Sequence, residues 1–148
     1  MKWITRERAM VDRIACPWLI TRYIDQNPEF VFVPSGEVKK AARELGAIPF
    51  DVEGAELNHF HENGKEYVTF DAFIRKYRLE DPALTTLAEI VRSADAHDRE
   101  LIPEAEGLKA IATGFRLISR NDYENMSKQF PVYDALYEYC KSKVRAHS

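Results

Sequence analysis

The chain is short of cysteine, of glycine and of long apolar runs, and each shortage closes off a class of protein. Two cysteines in 148 residues, Cys16 and Cys140, cannot build a disulfide framework, and no Cys-x-x-Cys pair offers a thiolate metal knuckle. Both are expected to be reduced thiols. The six glycines are scattered, so there is no Gly-rich phosphate loop, nucleophile elbow or dinucleotide fingerprint. No stretch approaches the length of a membrane span, and the opening MKWITRERAM lacks the apolar core of a secretory leader. The sequence therefore predicts a cytoplasmic protein with no membrane partner. Positive charge is not in excess: the formal net charge is -3, and direct nucleic-acid binding is not expected of this chain.

What is present reads as an ordinary globular domain. Hydrophobic residues make up 45% and charged residues 30%, a balance that supports a packed core rather than disorder. There are no repeats, low-complexity segments or Gly/Ser linkers, so the expectation is one domain over residues 1–148. The first half alternates. KWITRE and EFVFV are β-rich, VDRIACPWLITRYID is helical, and IPFDV reads as a third strand. Between EFVFV and IPFDV lies a helix with Ser35 as cap, a stripe of Val38, Ala41, Ala42 and Leu45, and Gly46 as its stop. The second half is helical: DAFIRKYRL, a helix opened by Asp81-Pro82, AEGLKAIATGFRLIS, and a last helix opened by Pro131. The expected fold class is α+β, with a small mixed sheet, crossover helices and a hairpin packed against a C-terminal helical layer.

The stretch VDRIACPWLI places a proline, a thiol and an Asp-Arg pair in ten residues. Proline is cheap only in the first turn of a helix, where its missing N–H has no partner to lose. The preferred reading starts the helix near Cys16 with Pro17 at its first position; the alternative starts it at Asp12 and loses a bond at Pro17. In the preferred reading the Cys16 sulfur lies beside free N–H groups and the positive end of the helix dipole, and Arg13 adds a fork of donors. That would make Arg13 and Cys16 an anion site for a small oxyanion. The plainer alternative makes Cys16 a buried filler and Asp12 and Arg13 local caps.

LNHFHENGKEYVTF carries the other candidate. Asn63-Gly64 between alternating runs specifies a tight hairpin turn. The register then sets Glu62 against Lys65, His61 against Glu66, Phe60 against Tyr67 and His59 against Val68. His59 and His61 share one face, with His59 at the margin of the core and His61 nearer the wet tip. Two histidines need further ligands, and Asp95 in SADAHDRE is the first candidate. The possible metal set is His59, Asp95 and His61, for zinc, iron or manganese. Without a metal, His61 would pair with Glu66 on the surface and His97 would sit solvated beside a helix end.

Several segments carry a family resemblance. Asp12-Arg13-Ile14-Ala15-Cys16-Pro17-Trp18-Leu19-Ile20 resembles the signature of the chromate-resistance protein B family. In order along the chain, Ile48-Pro49-Phe50-Asp51-Val52, Phe70-Asp71-Ala72-Phe73, Ile90-Val91-Arg92 with Ala94-Asp95, and Tyr133-Asp134-Ala135-Leu136-Tyr137 extend it over nearly the whole sequence. The resemblance implies a chromate-responsive regulator or accessory protein. In longer family members this unit follows an N-terminal regulatory region. One departure stands out: the family pattern has a Cys just before the Phe-Asp-Ala-Phe run, and here Val68 takes that place. The leading expectation is thus a chromate-resistance accessory or sensor domain that binds an oxyanion through Arg13 and Cys16. The alternatives are a metal-dependent, perhaps redox, enzyme built on His59 and carboxylates, and a module that binds a regulatory or other protein partner.

Overall fold

The computed structural model describes residues 1–147. In order the elements are β1 (Lys2–Arg6), α1 (Asp12–Leu19), β2 (Glu29–Val33), α2 (Val38–Leu45) and β3 (Ile48–Pro49). Then follow β4 (Phe60–Glu62), β5 (Lys65–Tyr67), α3 (Thr69–Lys76), α4 (Pro82–Asp95), α5 (Pro103–Ile118) and α6 (Asp122–Ala146). The fold is α+β, as expected. β1 is central and pairs in parallel with β2 on one side and β3 on the other.

The strand period of two divides the core across β1. Trp3 points to the larger cluster, where it packs on Phe73 with ring centroids 5.8 Å apart. Ile4 points to the opposite face, into a smaller cluster with Val38 and Ala42 of α2. The larger cluster is roofed by α1, α3 and the C-terminal helices, where Leu84, Leu87, Ala88 and Val91 of α4 form the expected buried stripe. Asp81 caps α4 by accepting the N–H of Ala83, with Pro82 in the first turn. Among the described residues no helix is long and apolar enough to cross a membrane.

The hairpin keeps its expected register, with Phe60 opposite Tyr67, His61 opposite Glu66 and Glu62 opposite Lys65. Asn63 and Gly64 have φ of 54° and 75°, the pair of left-handed residues that a type I′ turn demands. It does not extend the main sheet, however: β4 and β5 form a separate two-stranded ladder. The third strand is shorter than IPFDV, because Pro49 cannot donate to a ladder and Asp51 turns the chain at φ 53°. Ser35 opens a short 3₁₀ turn (Ser35–Glu37) rather than capping α2, and Leu45 is 42% exposed instead of buried. Gly46 ends α2 in the left-handed conformation, as expected.

The two largest departures in helix start from the sequence expectation both involve a proline. α1 begins at Asp12, not near Cys16, and Pro17 lies inside it. α6 begins at Asp122, capped by Asn121, whose side chain accepts the Glu124 N–H, and runs through Pro131. In each case the forgone backbone bond is outweighed by burial around the proline. Ile14, Ala15, Cys16, Trp18 and Leu19 are at most 1% exposed. On α6, Asn125, Gln129 and Tyr133 are buried on both sides of Pro131. After α1 the chain widens into one π-helical turn, Ile20–Ile24, closed by the Asp25 N–H on the Ile20 carbonyl.

The thiol of Cys16 is therefore not at a helix start. It is fully buried and lies 3.4 Å from Asp12 Oδ1. Burial, and then the charge of Asp12, push its pKa well above the usual thiol value. Alkylation of Cys16 in the native protein at neutral pH should be at least roughly tenfold slower than in urea, read by peptide mass mapping. Equal rates in the two conditions would contradict this burial.

α3 and α4 are clamped by one ion pair. Arg92 donates from Nε and Nη2 to the two oxygens of Asp71, at 3.0 and 2.6 Å, and Asp71 also accepts the Val68 N–H. Asp71 is 9% exposed, so Asp71→Ala strands a half-buried guanidinium as well as the first turn of α3. It should cost about 2–4 kcal/mol in urea unfolding. Lys76→Ala, which removes an exposed partner of Glu56, should cost less than about 1 kcal/mol.

Candidate functional site

Asp12 is 2% exposed, and its carboxylate ties α1 to the start of α3. Oδ2 accepts the Thr69 N–H at 2.9 Å and Oδ1 accepts the Phe70 N–H at 3.1 Å. These are free first-turn donors of a helix, which an anion satisfies well. Asp51, at the turn that ends the third strand, accepts the Thr69 hydroxyl at 2.7 Å and a guanidinium N–H of Arg6 at 3.1 Å. Asp95 is the last residue of α4.

His59, just before the hairpin, joins all three. Its Nε2 lies 3.4 Å from Asp12 Oδ2, 3.3 Å from Asp51 Oδ1 and 3.1 Å from Asp95 Oδ2. Its Nδ1 lies 3.0 Å from Glu66 Oε2 on the partner strand. The other Glu66 oxygen accepts the backbone N–H of His97, and the Glu66 N–H is bonded to Asp98. The loop after α4 is thus fastened to the hairpin, and this brings Asp95 to His59.

The electrostatics are those of a crowded acidic centre. Burial pushes the Asp12 carboxyl up to about 7, against the opposing pull of His59. Burial also raises Asp51, but its bonds from His59 and Thr69 and the charge of Arg13 outweigh that, and it lies below the usual range. Hydrogen bonds that Asp12, Asp51 and Asp95 accept from it hold the imidazolium of His59 far above its ordinary value. Yet Nε2 can carry one proton, and three carboxylates reach it.

That donor set fits a metal ion. One ligand atom each from Asp12, His59 and Asp95 lie within 4.8 Å of one another, the spread expected around one ion with bonds of roughly 2 Å. His plus carboxylates suits zinc, iron or manganese. Glu66 on the far ring nitrogen is the outer partner that metal-bound histidines commonly have.

The sequence candidates separate as follows. His59 and Asp95 are brought together. His61 is exposed two residues further along the hairpin, and Glu66 turns to His59 rather than to it. Arg13 lies beside the acidic centre: its Nε is buried with no hydrogen-bond partner, 3.9 Å from Asp51 Oδ2, while its Nη2 donates to the Arg8 carbonyl. Cys16 sits below Asp12. From the sequence, Asp12 is half of a charge pair or a local cap, and Asp51 has no role. Both lie in the segments that carry the resemblance, which was the available signal. Val68, in place of the family cysteine, is fully buried at the start of α3.

Comparison with known proteins agrees with the sequence resemblance. The family model for the C-terminal domain of ChrB matches residues 3–140. Protein ChrB of Cupriavidus metallidurans strain CH34 is 30% identical over 142 residues, covering 95% of this chain and 41% of that protein. The chain thus spans less than half the length of that relative. No solved structure matches. With the family model covering nearly the whole chain and every residue of the acidic centre, the chain belongs to the ChrB C-terminal domain family.

Proposed function

We propose that this chain is the metal-binding part of a chromate-resistance protein, holding one divalent cation on Asp12, His59 and Asp95. The observation that carries the reading is the approach of three carboxylates to a single imidazole nitrogen, from α1, the turn after β3 and the end of α4. A partly buried cluster of that composition, with Asp12 fully enclosed, is costly unless a cation is shared among its members. Asp51, held by Thr69 and Arg6, would act as a neighbour that tunes charge. Three protein ligands leave coordination positions for an exogenous group, as in catalytic rather than structural sites.

The oxyanion reading is favoured by one separate feature, the unpartnered buried Nε of Arg13 beside this centre. A chromate- or sulfate-like anion taking an open position on the cation would find a charge-assisted donor there. In this reading Cys16 supports Asp12 from below and does not meet the anion. A metal-dependent enzyme would use the same residues, and the two are separated by turnover rather than by binding.

Purified protein dialysed against manganese, zinc or iron(II) should retain one ion per chain by elemental analysis. His59→Ala and Asp95→Ala should both lower its affinity, by roughly tenfold or more, and His61→Ala should retain it. Full metal retention in His59→Ala would refute the site. Arg13→Ala should keep the metal and lose the part of the calorimetric chromate and sulfate binding that depends on the bound metal, which in the parent should weaken with added salt. Retained metal-dependent anion affinity in Arg13→Ala would move the anion elsewhere.

A further inference from the structure

A second charged centre lies on the other side of the β1–α1 connection. Arg8, Arg116, Ser119 and Arg120 line a cavity of about 280 Å3 with Asn121 and Asp122, where the end of α5, the start of α6 and the connection meet. The guanidinium groups of Arg8 and Arg116 make no hydrogen bond or ion pair with the described residues. The Nε of Arg116 and the hydroxyl of Ser119 are both buried without a partner. Buried donors are ordinarily satisfied, and two left open in one cavity lined by arginine mark a site that expects an acceptor.

The acidic residues nearby do not supply that acceptor. Asp122 accepts the backbone N–H groups of Arg8 and Ala9, at 2.9 and 2.8 Å, one on each oxygen. Glu124 takes Arg120 and Lys128 on its two oxygens. The Asp122 bonds also hold Arg8 at φ 63°, a conformation that costs a non-glycine residue energy. The Asp122 bonds thus fix the backbone from which the Arg8 side chain reaches the cavity.

We infer that Arg8, Arg116 and Ser119 form a binding site for a tetrahedral dianion, a phosphate or sulfate group, separate from the acidic centre at His59. Two planar guanidinium forks and a hydroxyl match an ion with several equivalent oxygens better than they match a planar carboxylate. The cavity has room for such an ion with a few waters, each occupying roughly 30 Å3. The dianion could be free in solution or the phosphoryl end of a larger molecule. The site does not rest on the metal reading, since none of its residues belongs to that cluster.

The test is an amide NMR titration of the full chain with inorganic phosphate, sulfate and acetate at fixed ionic strength, with melting temperature as a second readout. Phosphate and sulfate should shift the amides of Arg8, Ser119 and Arg120 and raise the melting temperature. Acetate should do neither. Arg116→Ala and Arg8→Ala should weaken phosphate binding roughly tenfold or more, Arg116→Lys should weaken it less, and Lys143→Ala near the far end of α6 should leave it unchanged. Neither arginine is paired, so both variants are expected to fold, and their melting without phosphate checks that. Tighter binding of phenyl phosphate than of phosphate would assign a phosphoryl group of a larger molecule; equal binding would assign the free ion. No shift at these amides with either dianion, an equal response to acetate, or unchanged affinity in Arg116→Ala would each overturn the site.

Discussion

The buried carboxylate of Asp12 is the constraint on which the arrangement depends. It is placed at the first position of α1, accepts the first two N–H groups of α3, and forms one wall of the acidic centre. A charge this deep is tolerated only with partners on every side. Its position explains why α1 starts where it does. An earlier start puts Pro17 in the helix interior at the loss of one backbone bond. A start at Cys16 would leave the open N–H groups of Thr69 and Phe70 with no anion facing them.

Two clusters of opposite predominant charge lie near the connection Glu7–Val11, the basic one also holding Asp122 and Glu124. On one side Asp12, Asp51, Asp95 and Glu66 converge on His59. On the other, Arg8, Arg116 and Arg120 gather at the start of α6. Arg13 bridges them, with its Nε toward Asp51 and its Nη2 on the Arg8 carbonyl. Such a separation would keep the proposed cation and anion sites from neutralising each other while leaving a short covalent path between them.

Much of the frame was legible in the sequence because its signals are local. β-rich composition marks β1 and β2, Asp81-Pro82 marks the start of α4, and Asn63-Gly64 marks a hairpin whose register holds at all three paired positions. The nearness of His59 and Asp95 was also within reach, since a helix end can turn toward a sheet. The failures are non-local. Pro17 and Pro131 are weighed by a propensity rule that knows nothing of the surrounding burial, and both lost to packing. Asp12 and Asp51 looked like ordinary polar residues because their partners, Thr69 above all, lie 57 and 18 residues away. Arg116 and Ser119 carry no motif, and only the packing of α5 against the start of α6 leaves them unpartnered.

The N-terminal half of α6, read from the sequence as lying outside the last helix, turns out to position the metal candidate. Asp122 takes the N–H groups of Arg8 and Ala9, Asn125 donates to the Ala9 carbonyl at 3.2 Å, and Tyr133 donates its hydroxyl to the Val11 carbonyl at 3.2 Å. Three side chains of one helix thus fasten three residues of the connection immediately before Asp12. A ligand set must be held within a fraction of an ångström to bind a cation well, and a connection carrying the left-handed Arg8 would not hold Asp12 by itself. Running α6 through Pro131 places Asp122, Asn125 and Tyr133 on one rigid element. The bond lost at the proline therefore maintains the geometry around His59.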